Sequence, residues 1–229
     1  MMKKLASAGK LLINNPGEIR FAAKWLFSLS SGYSPVDDQR PWINYRATEW
    51  LESHLSPTMR VFEYGSGGST LFLSKRVAQV VSAEHDEGFY HYMKEKICHH
   101  GITNCTYILR APKSFGRDQI PDYSAESFSS EWPAHKTMNF EEYVKSIDEY
   151  PNGHFDLITV DGRARPSCAL RALPKLKNGG WLLVDNMERA RYKIIRDLLA
   201  SYECQDFLGL VPCELRLQRT TAWRIDTQK

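Results

Sequence analysis

The stretch Val61-Phe62-Glu63-Tyr64-Gly65-Ser66-Gly67-Gly68-Ser69-Thr70 decides the fold. Apolar residues of strand type run into a glycine turn, and the turn opens onto a helical pattern that continues to Arg76. Glycines let a backbone pass close to a ligand, and the first N–H groups of a helix have no partner within it. Such turns are common, so the reading rests on what flanks this one.

Two acids flank it. Glu63 precedes the glycines, where a carboxylate would repel a pyrophosphate but could pair with an ammonium group. Glu84 closes Val81-Ser82-Ala83-Glu84, 19 residues after Gly65, which is room for one helix and one strand. A carboxylate there can accept both hydroxyls of a ribose. The dinucleotide fingerprint needs a third glycine where Thr70 stands. Together these features favour a cationic, phosphate-free nucleoside over NAD. The competing reading is two surface carboxylates at strand ends.

Outward from this unit, strand and helix patterns alternate. Helices are expected over Asn44–Leu55, Ser69–Arg76, Glu87–His99, Phe140–Ile147, Pro166–Leu173 and Arg189–Tyr202. Strands are expected over Arg60–Tyr64, Gln79–Ala83, Cys105–Leu109, Phe155–Val160 and Trp181–Val184. Asp206–Val211 and Thr220–Ile225 follow with only a short link, so they should pair antiparallel. The expected fold is α/β: a Rossmann-like, seven-stranded, mostly parallel sheet ending in an antiparallel hairpin. Residues 1–43 read as an N-terminal helical extension and 44–229 as the ligand-binding domain. Pro112 to Lys136 lacks periodicity and holds Gly116, Pro121, Tyr123 and Trp132. With Trp42 and Tyr45, that segment is expected to wall the substrate and to order over it.

Glu63-x-Gly65-x-Gly67, then Glu84, then Phe155-Asp156-Leu157-Ile158-Thr159-Val160-Asp161-Gly162, then Gly179-Gly180-Trp181-Leu182-Leu183-Val184-Asp185-Asn186, resembles the class I S-adenosylmethionine-dependent methyltransferases. The resemblance spans about residues 44 to 226. It implies S-adenosylmethionine as cofactor, with the residues at Glu63 and the glycine turn around its methionine part and Glu84 on its ribose. The candidate cofactor set is Glu63, Gly65, Ser66, Gly67, Ser69, Glu84 and Asp161. The third strand, ending Leu109-Arg110-Ala111, lacks the acid that often follows it near the adenine.

Asp161, Asp185 and Asn186 fall at the C-terminal ends of buried strands, the edge where open α/β sheets place ligands. Two carboxylates and an amide oxygen suit magnesium, and the pattern resembles the metal triad of catechol-type O-methyltransferases. Asp161, Asp185 and Arg163 are therefore the catalytic candidates, with Asp161, Asp185 and Asn186 as metal ligands. Asp161 acting as a base without metal is the alternative. Two carboxylates on one edge need a cation between them, either a metal or a folded-back Arg163 or Arg165. Those arginines could instead clamp an acidic acceptor, or pair with Glu188 or Asp185 as a structural network. His85 and His99-His100 have no partner at ligand spacing and read as structural.

Composition sets the outer bounds. Thirty basic residues against 27 acidic give a net charge of +3, with no compact basic stripe, which argues against nucleic acid as a partner. Five cysteines without a CxxC pair fit a reducing, cytoplasmic setting. In the first thirty residues Lys10, Glu18, Arg20 and Lys24 break every apolar run, so no transmembrane span is expected. That segment is expected to pack on the body or on a second subunit as a homo-oligomer contact. Peripheral membrane contact as a basic amphipathic helix is the alternative. The expected partner is a small-molecule methyl acceptor. A nonenzymatic cofactor-binding protein and an aminopropyl transferase are the competing functions, and Arg163, Arg165 and Arg189 disfavour the polycation that the latter requires.

Overall fold

The computed structural model describes residues 2–115, 122–130 and 132–226. Among them a seven-stranded sheet forms from β1 (Arg60–Tyr64), β2 (Gln79–Glu84), β3 (Cys105–Leu109), β4 (Phe155–Val160), β5 (Leu176–Asp185), β6 (Glu203–Leu210) and β7 (Leu217–Ile225). Its order is β3-β2-β1-β4-β5-β7-β6. The first five strands pair parallel, while β7 runs antiparallel to both β5 and β6. This is the expected sheet with its terminal hairpin. Strand order reverses between β1 and β4, and the crevice beyond the carboxyl ends of those two strands is the natural ligand site.

Alternation along the strands builds a core on each face. Phe62 and Tyr64 point to one side with Phe155, Ile158 and Val184, and meet Tyr143, Cys168 and Ile195. Val61, Leu157 and Leu183 point to the other side, against Trp50, Leu51, Phe72 and Leu73. The helices supplying these residues are α3 (Tyr45–His54), α4 (Gly68–Ser74), α6 (Glu141–Lys145), α7 (Arg165–Ala172) and α8 (Lys193–Leu198), while α5 (Glu87–His99) buries Met93 and Ile97 against Leu71, and α1 (Met2–Asn14) and α2 (Ala22–Ser28) come first in the chain. Asn44 caps α3 by accepting from the Ala47 N–H at 2.9 Å, and Asp86 caps α5 by accepting from Phe89 at 2.7 Å. The long helix expected over 189–202 is instead a single 3₁₀ turn at Ala190–Tyr192 followed by the short α8.

The N-terminal segment packs on the hairpin. Trp25 is fully buried beside Phe21, Tyr45 and Leu210, and its indole donates to the Glu214 carbonyl at 2.9 Å. Glu18, also buried, pairs with Arg46 and accepts from the Leu210 N–H at 2.8 Å. No helix among the described residues is long and apolar enough to cross a membrane.

Candidate functional site

The turn after β1 owes its shape to close backbone contact. Gly65 has φ +94°, and a Cβ there would lie 2.8 Å from Gly162, in the turn after β4. Gly68, the first residue of α4, faces the N-terminal segment: a Cβ would come within 2.2 Å of the Pro35 and Arg40 carbonyls. The turn's own N–H groups are occupied by protein acceptors. Gly65 donates to the Ala83 carbonyl at 2.9 Å, Ser66 to Glu84 Oε2 at 3.1 Å, and Gly67 to Thr70 Oγ1 at 3.1 Å.

Above the switch point lies a cavity of about 1140 Å³. One drug-sized ligand occupies roughly 300–1,000 Å³, so this space can hold two small molecules together. Gly65, Ser66, Gly67, Ser69 and Glu84 line one end; Asp161, Arg163, Arg165, Asp185, Asn186 and Arg189 line the other. Of the sequence-derived cofactor, catalytic and metal candidates, Glu63 alone stands outside the wall. It lies beneath the turn, accepting from Thr70 Oγ1 at 2.6 Å and Ser82 Oγ at 2.7 Å. Burial pushes its carboxyl up to about 7, against the lowering effect of hydrogen bonds from Ser69, Thr70 and Ser82. Glu63 in this arrangement fastens α4 to β2 rather than meeting a ligand.

Glu84 has the opposite character. Its Oε1 accepts from the His85 and Asp86 N–H groups at 2.7 and 2.9 Å, and its Oε2 from Ser66 N and Oγ at 3.1 and 2.6 Å. Burial opposes ionisation, yet His85, Asp86 and Ser66 outweigh it and hold the carboxyl at about 2. Ser66 Oγ has a second partner in Tyr107 Oη, 2.8 Å away, so it can turn aside and free an Oε2 lone pair.

At the other end, Arg165 lies between the two aspartates. Its Nη2 is 2.8 Å from Asp161 Oδ1, its Nη1 is 3.8 Å from Asp185 Oδ2, and it donates to the Gly162, Asp161 and Asp185 carbonyls. Asp185 is fully engaged: Thr220 Oγ1 donates to Oδ1 and Asn186 Nδ2 to Oδ2, each at 2.6 Å. Desolvation and the neighbouring Asp161 push the Asp185 carboxyl up, with Arg165 and Thr220 opposing. Desolvation also raises Asp161, against Arg165, Arg189 and Arg163.

The metal expectation does not fit this geometry. A buried guanidinium already fills the position between the carboxylates, and Asn186 presents its amide nitrogen to Asp185. The counter-charge is Arg165, the second of the two solutions open in the sequence.

Several wall residues carried no signal in the sequence. Ser34, Pro35 and Val36 reach the cavity from the segment expected to be an N-terminal extension, beside the expected Trp42, whereas Tyr45 is buried against Phe21 instead. Glu214, Arg216 and Gln218 come from the hairpin, and His135 stands edge-on to His85, with ring centres 5.5 Å apart. His85, read as structural, has Nδ1 2.8 Å from Glu84 Oε1 and also faces the cavity. From Pro112 to Lys136, Trp132 and His135 line the wall, while Tyr123 does not. Gly116 and Pro121 lie outside the described residues.

Comparison with solved structures agrees with this architecture. A methyltransferase-like protein from Silicibacter pomeroyi matches over 78% of this chain and 84% of its own, at 19% identity and a TM-score of 0.53. A candidate O-methyltransferase from Klebsiella pneumoniae matches over 96% and 90%, at 15% identity and a TM-score of 0.54. A candidate methyltransferase from Streptococcus mutans, solved in complex with SAH, matches over 77% and 94%, at 14% identity and a TM-score of 0.51. Proteins described as rRNA methylases also match. No family model and no curated protein sequence matches the chain. The fold is that of the class I S-adenosylmethionine-dependent methyltransferases.

Proposed function

We propose that this chain transfers the methyl group of S-adenosylmethionine to a hydroxyl oxygen of a small acceptor, without a metal. The observation that carries the reading is one cavity with two differently built acidic ends, Glu84 at one and the Arg165-bridged aspartates at the other. S-adenosylmethionine, when bound, supplies an electrophilic methyl group on a sulfonium. Glu84 accepts the ribose hydroxyls as Ser66 Oγ turns to Tyr107, while Gly65, Ser66, Gly67 and Ser69 form the floor for the methionine part. Glu63 holds that floor from below.

Asp161 takes the acceptor's proton. Its Oδ1 is bound by Arg165, and its side chain is 35% exposed to the cavity. A carboxylate raised by desolvation is a better base than one in water. Arg165 keeps Asp161 oriented and offsets its charge, and Asp185 braces Arg165 from behind. Trp132, His135 and Trp42 enclose the acceptor, and the five unpaired cysteines accord with a reducing cytoplasm. Residues 1–43 belong functionally to the same unit, because Pro35, Val36 and Trp42 complete the wall.

Calorimetry should show S-adenosylmethionine binding, with NAD and ATP inert. Transfer of a radiolabelled methyl group to a panel of small hydroxyl acceptors should persist after chelator treatment. Loss of transfer on chelation, with recovery in magnesium, would restore the metal mechanism.

A further inference from the structure

The arginines on the acceptor side are not all spent on the aspartates. Arg165 is, being buried and bound on every side. Arg163 is not. Ala164 between them adopts a left-handed conformation, φ 46° and ψ 41°, which a non-glycine residue holds only when its surroundings enforce it. The result is that the two arginines diverge, one buried between the aspartates and the other against Trp132. Arg163 Nε is buried without a hydrogen-bond partner among the described residues, and its guanidinium lies 4.7 Å from the centre of the Trp132 ring. Arg189 lines the same wall, with Glu188 Oε1 only at 3.8 Å.

Arg163, Arg165 and Arg189 line the wall beside Asp161 and Asp185, and only Arg165 is held between the two carboxylates. Burial and the nearby Arg165 also hold Arg163 and Arg189 below their ordinary basicity. A half-buried guanidinium whose Nε has no partner is incompletely satisfied, and a bidentate oxyanion is its natural complement.

We infer that the methyl acceptor is itself an anion, a small molecule whose carboxylate or phosphate is gripped by Arg163 and Arg189 while its hydroxyl faces Asp161. This rests on the methyltransferase reading above. A nucleic-acid backbone is the less favoured anion, because Arg163 is recessed in a cavity and the net charge is only +3.

The test uses full-length protein saturated with S-adenosylhomocysteine, titrated separately with phenol, benzoate and phenyl phosphate. One or both anions should bind at least about tenfold tighter than phenol, and their ranking separates a carboxylate from a phosphate acceptor. Arg163→Ala and Arg189→Ala should each abolish most of that preference while S-adenosylhomocysteine affinity stays within about twofold. Equal affinity for phenol and both anions, or a preference untouched by both substitutions, overturns the anionic acceptor and leaves the methyltransferase reading standing. Failure of S-adenosylhomocysteine itself to bind removes that reading and this inference together. A short single-stranded RNA that displaces phenyl phosphate from the wild type, and not from Arg163→Ala, would replace the small acceptor with nucleic acid.

Discussion

Glu84 and Asp185 are both buried carboxylates at the carboxyl ends of parallel strands in one sheet, yet their acidities move in opposite directions. Glu84 collects backbone N–H groups, a serine hydroxyl and His85, all of them donors that stabilise its charge. Asp185 meets a second carboxylate, and its one guanidinium is shared with that neighbour. Burial weighs against ionisation at both sites, so it does not distinguish them. The immediate donors do. The difference teaches that one sheet edge can hold a carboxylate whose charge is stabilised and, a few strands away, one whose charge is opposed.

The sharpest way to break this contrast is to remove Arg165. Arg165→Ala leaves two aspartates facing each other without a cation and should cost about 3–5 kcal/mol in urea unfolding at neutral pH. The deficit should shrink toward pH 5, because the aspartates can then hold protons in place of the guanidinium. A deficit independent of pH would mean that Arg165 acts through packing alone.

Glu63 offers the next largest effect, with a sign opposite to that of Glu84. Its folded value of about 7 lies above the ordinary 4.5, so the folded state retains the proton longer than the unfolded chain does. That contribution is complete below about pH 4.5 and is lost as pH rises through 7. The shift corresponds to about 3 kcal/mol between those limits. Glu63→Gln should flatten the decline in stability from pH 5 to 7.5. Glu84, held at about 2, contributes above 4.5 and loses that contribution as pH falls toward 2. An unaltered pH profile in Glu63→Gln would show that its burial is not what sets the slope.

Effects on ligand binding should be smaller. Glu84→Ala is expected to weaken S-adenosylmethionine by about 1.5–3 kcal/mol, the worth of hydrogen bonds to a charged group. Undiminished affinity by calorimetry would remove the ribose role. Ser66→Ala should change affinity by no more than about 0.5 kcal/mol, since a ribose hydroxyl takes over the bond that Ser66 Oγ makes to Oε2. A loss beyond tenfold would instead put Ser66 in direct contact with the ligand.

The sequence by itself determined the sheet. Apolar strands such as Phe155–Val160, the glycine turn at Gly65 and the short link before Thr220 are local patterns, and local patterns carry strand, turn and hairpin. It also marked Glu84, Asp161 and Asp185, because strand ends at one edge are predictable once strand order is known. Tertiary structure decided the rest. Arg163 and Arg165 look alike two residues apart in the chain, and only the left-handed Ala164 and the packing of α7 bury one between the aspartates and leave the other against Trp132. Glu63 reads as a ligand-facing acid until Thr70 and Ser82 enclose it from α4 and β2. His135, Pro35 and Gln218 reach the wall from segments with no shared periodicity. Charge state and orientation depend on neighbours far away in sequence, on how much water they exclude and on how many donors they offer. Those quantities exist only once the chain has closed on itself.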